Sequence, residues 1–134
     1  MVTQPPLLDA NVLIALTQIG HVHHGAVDLW SAARSSLAVS PVAEGALMRF
    51  VVRSGGTAAA VQSLLDSLYQ QERYVFWSDS LSYAAAKLDS VRGYKQVTDS
   101  YLVSLAASRG TVLATLDKAL CLRYPTHTEL VPAS

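Results

Sequence analysis

Cysteine occurs once in this chain, at Cys121. A single thiol excludes a disulfide framework and a CxxC metal motif, and fits a reducing cytoplasm. Its expected role is that of a small apolar side chain on a helix. Acidic residues are scarce as well. Ten Asp and Glu face ten Lys and Arg across 134 residues, for a net charge of zero. That balance removes the overall positive field by which most non-specific nucleic-acid binders attract their ligand. Any nucleic-acid binding must then rest on a local patch and on metal. The apolar run near the start, VLIAL, is far too short to cross a membrane. There is no charged n-region followed by an h-region, so no signal peptide is expected. The expectation is a cytoplasmic protein away from membranes. GxGxxG, GK[ST] and a nucleophile elbow are all missing, and Gly55-Gly56 lacks the preceding strand that a phosphate loop needs.

What the chain does have is apolar patterning. The hydrophobic fraction is 51%, high enough that some of it is expected to cover a partner surface. The length suits one domain, residues 1–134, able to bury a core without staples. Short apolar runs alternate with helical patterns. PPLL ends a first strand, and helices are predicted over 10–19 and 23–34, the second with Ala26, Val27 and Trp30 on one stripe. LAVS is a second strand. Ser40 then reads as an N-cap and Pro41 as the first residue of a helix that runs to about 54. A helix over 57–71 carries Val61, Leu64, Leu65 and Leu68 on its apolar face. YVFW is a third strand. A helix is predicted over 80–91 with Gly93 as its stop, and another starts after Thr98 as N-cap. TVLATL is a fourth strand, a short helix follows from 117 to about 124, and ELV is a marginal fifth strand. This alternation predicts an α/β fold: a central parallel sheet of four to five strands with helices on both faces. The Gly55-Gly56 pair reads as the turn of a helix hairpin. Trp30, Trp77, Phe50 and the leucines of the 57–71 helix are expected in the core.

Four of the scarce acids share a context. Asp9 and Asp117 directly follow strand-like runs, while Glu44 and Asp99 open helical patterns. Strand ends and the helix starts that follow them meet on one edge of a parallel sheet. Four carboxylates meeting there repel one another unless a cation neutralises them. Each acid also has a plainer reading. Asp9 and Asp117 serve as N-caps and Asp99 as a first-turn acid favoured by the helix dipole. Glu44, inside an otherwise apolar helix, has no such easy alternative.

The segments LLDANVLIAL, SPVAEGALMRFV, TDSYLVSLA and ATLDKAL stand in the order and context of a PIN domain, and the chain resembles the VapC-type toxins of toxin–antitoxin pairs. The resemblance covers essentially the whole chain. It implies a Rossmann-like, three-layer fold and an Mg²⁺-dependent endoribonuclease, with Mn²⁺ as the alternative ion, restrained by a cognate antitoxin. A homodimer is also expected. It carries over Asp9, Glu44, Asp99 and Asp117 as the catalytic acids. Asp9 and Asp99 are the first candidates for metal ligands. Asp117 and Glu44 would hold metal-bound waters or a second ion. Asn11 matches the Asn of the family's first motif, and Thr115 the small hydroxyl residue two before the last acid; both would orient the carboxylates. Attack of a metal-activated water on phosphorus would leave a 5′-phosphate and a 3′-hydroxyl. The loop RGYKQV before Asp99 has no close counterpart in the family's pattern.

Among the remaining residues, Arg49 reads equally as a solvated side chain and as a phosphate contact, and Arg53 as solvated. Arg92, Tyr94 and Lys95 form a basic loop with an aromatic, a pattern that suits single-stranded RNA, though also ordinary for a loop. His21, His23 and His24 invite a zinc reading, but adjacent helix positions point apart and no Cys or Asp is at hand, so loop and helix-start roles are expected. An antitoxin segment is expected on an apolar surface drawn from Leu13, Leu16, Leu47, Phe50, Val51 and Leu64, some of which must be core. Two other functions compete. One is a phospho-receiver-like module with Asp79 as phosphoacceptor and Asp9 as metal ligand; it lacks paired acids at the first strand and a Lys ending the last. The other is an inactive PIN-fold interaction protein.

Overall fold

The computed structural model describes residues 4–133. Five strands form one sheet: β1 (Leu7–Leu8), β2 (Leu37–Val39), β3 (Tyr74–Phe76), β4 (Leu113–Thr115) and β5 (Thr128–Leu130). Six helices accompany them: α1 (Ala10–Thr17), α2 (His24–Ala32), α3 (Pro41–Arg53), α4 (Ala58–Tyr69), α5 (Val97–Ser108) and α6 (Lys118–Arg123). The spatial order is β3-β2-β1-β4-β5 and every pair is parallel. The chain therefore starts in the middle, builds outward through β2 to β3, crosses back, and builds outward again through β4 to β5. The order reverses between β1 and β4. In sheets of this kind the crevice beyond the carboxyl ends at that reversal is where ligands bind.

Alternation along each strand splits the core in two. Leu8, Val39 and Ala114 face a cluster with Val12, Leu13, Val27, Trp30, Leu47 and Val61 from α1 to α4. Leu7, Ala38 and Leu113 face the other way, onto Tyr101, Leu102 and Leu105 of α5 and Leu120 of α6. Helices thus cover both faces of the sheet, as the strand–helix alternation predicts. The α3–α4 connection is a tight hairpin. Gly55 adopts a positive φ of 95°, which favours glycine. A Cβ on Gly56 would lie 2.5 Å from Val51 Cγ1.

Three expectations fail for identifiable reasons. The helix predicted over 80–91 does not form; the segment runs as a series of turns. Its backbone makes isolated turn bonds, such as Ala85 N to Ser82 O and Val91 N to Leu88 O, and side chains take other groups: Ser82 Oγ accepts from Ala84 N, Ser104 Oγ from Lys87 N, and Leu81 O from the Tyr101 hydroxyl. Serines compete in this way for backbone partners, and only Leu81 and Ala86 of the stretch pack against the core. Thr98 is exposed and caps nothing. A short 3₁₀ turn, Tyr94–Gln96, leads directly into α5, and Gln96 occupies the cap position without a side-chain cap bond. The Gln96 side chain instead accepts from Arg92 N at 2.7 Å. Phe50 is not core: it is 39% exposed, whereas Trp30 and Trp77 are buried. The proposed antitoxin surface contracts accordingly. Leu13 and Leu47 are fully buried, and Leu16, Val51 and Leu64 are half-buried against the core. Among the described residues no helix is long and apolar enough to cross a membrane.

Candidate active site

Asp9 sits one residue past β1, at the reversal of strand order, and is 3% exposed. It is the N-cap of α1, with Oδ1 accepting from Ala10 N at 2.8 Å. Its Oδ2 accepts from Thr115 Oγ1 at 2.6 Å. Thr115, fully buried at the end of β4, is a junction. Its hydroxyl oxygen also accepts from Asp117 N at 3.1 Å and from Asn11 Nδ2 at 3.3 Å. Asn11 Oδ1 in turn accepts from Leu116 N at 3.1 Å. Asn11 and Thr115 therefore tie the start of α1 to the β4–α6 turn, and Thr115 alone touches a carboxylate directly.

Asp117 caps α6, with Oδ1 accepting from Leu120 N at 3.1 Å. Asp99 stands in the first turn of α5. So both plainer readings of Asp9 and Asp117 hold, and capping leaves further lone pairs on each carboxylate free. The three aspartates feel one another. Burial pushes Asp9 up to about 6, aided by the charges of Asp99 and Asp117 and opposed by the bonds from Thr115 and Ala10. Burial and then the charge of Asp117 raise Asp99 as well, and the Arg123 guanidinium pulls it partly back. Glu44, in the first turn of α3, is held separately: the Tyr69 hydroxyl donates to its Oε2 at 2.7 Å. Burial, and then that carboxylate, raise the Tyr69 hydroxyl above its ordinary value.

Among the described residues, no three His, Cys, Asp or Glu side chains are gathered closely enough to hold one ion between them. The aspartates lie within electrostatic reach of each other without converging on a shared point. The donor set is all oxygen, which selects hard cations. Mg²⁺ keeps several waters and binds through one or two carboxylates, so a spread set of this kind suits it. A second observation agrees. Ser40 Oγ, buried at the end of the neighbouring strand β2, has no hydrogen-bond partner.

The other candidates lie further out. Arg49 is exposed and folds back along α3, its Nη1 3.5 Å from where a Cβ on Gly45 would be. Arg53 is exposed in the last turn of α3. Tyr94, 83% exposed, and Lys95 occupy the 3₁₀ turn that feeds the Asp99 helix. Arg92 is committed to its own loop, donating to Asp89 O at 2.8 Å. The histidines are in structural use: His21 Nδ1 accepts from His23 N, His23 Nδ1 meets Ala133 O, and His24 Nδ1 meets Ala15 O. Asp79 is exposed beyond β3, the edge strand, two strands away from β1. A receiver-like pairing of Asp79 with Asp9 has no support in this layout.

Three residues near the acids escaped the sequence reading. Arg123 Nη2 donates to Ser100 Oγ at 3.0 Å, beside Asp99, and the Tyr124 hydroxyl donates to the same oxygen at 2.9 Å. Tyr69 reaches Glu44 across the α3–α4 hairpin. The only available signal was for Arg123, which follows Asp117 on the same short helix.

The chain has a parallel sheet of order 3-2-1-4-5 with a buried aspartate at its reversal point; residues 7–123 match the PIN domain, and the chain belongs to that family. It is 43% identical over 129 residues to the ribonuclease VapC29 of Mycobacterium tuberculosis, covering 96% of this chain and 97% of that protein. It is 36% identical over 124 residues to the ribonuclease VapC39 of the same organism, covering 85% and 89%. Among solved structures it is similar to the M. tuberculosis toxin VapC20, described as cleaving the sarcin–ricin loop, with TM-score 0.67, 14% identity, and coverage of 94% and 98%. It is also similar to VapBC2 of Rickettsia felis, solved on a promoter DNA fragment, with TM-score 0.65, 16% identity, and coverage of 96% and 100%. At those identities the two structures speak for the fold alone.

Proposed function

We propose that this chain is a divalent-metal-dependent endoribonuclease toxin, working in the cytoplasm as a homodimer and restrained by a cognate antitoxin. The observation that carries the reading is Asp9: a carboxylate buried at the strand-order reversal and pushed up to about 6 beside Asp99 and Asp117. Leaving an anion so placed is costly without a cation. The names of the VapC relatives support RNA as the substrate, and an antitoxin partner is what the likeness to VapC-type toxins implies.

In this reading Asp9 and Asp99 would hold the cation, Mg²⁺ or Mn²⁺, directly or through its waters, and Asp117 would hold a water bound to it. When bound, it supplies Lewis acidity, screening phosphate charge and making water a competent nucleophile near neutral pH. Thr115 fixes the Asp9 carboxylate by its 2.6 Å bond, and Asn11 braces Thr115 and the turn to Asp117. Glu44, oriented by Tyr69, would hold a metal-bound water or a second ion. In this reading Arg49, Tyr94 and Lys95, all exposed, would contact the RNA strand.

The test is incubation of the purified protein with a mixed RNA pool and Mg²⁺ or Mn²⁺, followed by mapping of the cut ends. Internal cuts carrying a 5′-phosphate, lost on chelation, are expected. A folded protein that cuts no RNA under any metal would leave a PIN fold used for interaction alone.

A further inference from the structure

Two hydroxyl residues flank Asp9 in the sheet. Thr115 ends β4 on one side, and Ser40 follows β2 on the other. The register pairs Leu7 with both Leu113 and Ala38, so two residues further on Asp9 stands level with Thr115 and with Ser40. Asp9 and Ser40 both have extended backbones, with ψ of 157° and 162°. The alternation therefore carries on past the strands, and both belong on the face of Leu7 and Ala38. That is the face covered by α5, which brings Asp99.

The two hydroxyls are used differently. Thr115 is spent on Asp9. Ser40 is at the N-cap of α3, where a serine ordinarily accepts from the first-turn amides, yet it makes no cap bond. Its Oγ is fully buried and unpartnered. A buried hydroxyl without a partner costs roughly 1–3 kcal/mol, and native structures rarely leave one so unless an ion or water completes it.

We propose that Ser40 is a positioning residue of the cation site, its hydroxyl bonding a water of the hydration shell of the cation held by Asp9. The proposal rests on the metal reading above. Partners of this kind around a site typically alter metal affinity by 10- to 100-fold.

The experiment measures Mn²⁺ binding by calorimetry, and thermal unfolding with and without Mn²⁺, for wild type, Ser40→Ala and Ser40→Thr. Ser40→Ala is expected to bind Mn²⁺ about tenfold more weakly. Its metal-free melting temperature should be equal to or above that of wild type, because the removed hydroxyl made no bond. Ser40→Thr, which keeps the hydroxyl, is expected to retain most of the affinity. Ser40→Ala that binds Mn²⁺ as wild type does overturns the proposal, whatever its melting temperature. Wild type that binds no Mn²⁺ overturns the cation reading itself, a failure visible without any variant.

Discussion

Thr115 Oγ1 donates to Asp9 Oδ2 at 2.6 Å, joining residues 106 positions apart across the β1–β4 boundary. The same oxygen accepts from Asn11 and from the backbone of Asp117. One hydroxyl thus sets the spacing between two of the candidate metal ligands. It also opposes the burial that raises Asp9.

Removal of that hydroxyl has a defined consequence. Thr115→Val keeps the shape and loses all three bonds. The folded protein should lose on the order of 1–3 kcal/mol, the range for buried partners left unsatisfied. Asp9 should titrate above its present value of about 6, while Thr115→Ser should restore both properties. Denaturant unfolding and a carbon-detected NMR titration of the Asp9 carboxyl measure them. An unmoved Asp9 titration in Thr115→Val would show the contact to be incidental.

Asp9 itself should separate stability from activity. Its carboxyl is raised from 3.8 in the unfolded chain to about 6 in the metal-free fold. A raised group contributes stability that is fully present below about pH 4 and is lost as pH rises through about 6. At pH 7.5 without metal, Asp9→Asn escapes that loss and should be the more stable protein. The gain should be at most about 3 kcal/mol, since each tenfold change in proton affinity is worth about 1.36 kcal/mol. The lost charge should still abolish metal binding and cleavage. In wild type, Mn²⁺ affinity should fall as pH drops through about 6, because protons then compete for the same oxygens. Urea unfolding in chelator, beside calorimetry at several pH values, provides the readouts. Metal-free Asp9→Asn less stable than wild type at pH 7.5 would contradict the assignment.

The acids were legible in the sequence because the features that place them are local. An aspartate after an apolar run of four or five residues can be placed at a strand end by period alone. The sheet order was not legible, since nothing in LAVS or TVLATL says which strand lies beside β1. The contacts of Tyr69 with Glu44 and of Arg123 with Ser100 were hidden for the same reason. They join helices whose mutual placement only the tertiary fold decides. The 80–91 stretch misled because alanines and a leucine imitate a helical pattern. The bonds that Tyr101 and Ser104 make to its backbone come from α5, outside any local window.

The Tyr69–Glu44 pair offers a dissociation of charge from placement. Glu44→Gln keeps an amide oxygen that can accept from the Tyr69 hydroxyl, so the fold should be nearly as stable as wild type while cleavage falls sharply. Tyr69→Phe keeps the charge but frees the side chain, with a cost of about 0.5–1.5 kcal/mol for one hydrogen bond and a smaller fall in kcat. Single-turnover cleavage rates rank the three proteins. Full activity in Glu44→Gln would remove Glu44 from the chemistry and leave it a structural partner of α4.

The turn before α5 should act on substrate affinity alone. Tyr94 and Lys95 are exposed and neither has a described side-chain bond to lose, so Tyr94→Ala and Lys95→Ala should fold as wild type does. They lead into the helix that carries Asp99, and in the proposed reading they would lie alongside an RNA strand entering the site. Base–aromatic stacking contributes roughly 1–3 kcal/mol per base, so Tyr94→Ala should raise KM about tenfold with kcat little changed. Lys95→Ala should also weaken binding and should make it less dependent on salt, as loss of one phosphate contact requires. Arg92→Ala makes the contrast, since that side chain bonds its own loop and its loss should disturb stability before affinity. Steady-state kinetics on a short single-stranded RNA at several salt concentrations decides the matter. A fall in kcat at constant KM for Tyr94→Ala would move the tyrosine from the binding surface to the reacting centre.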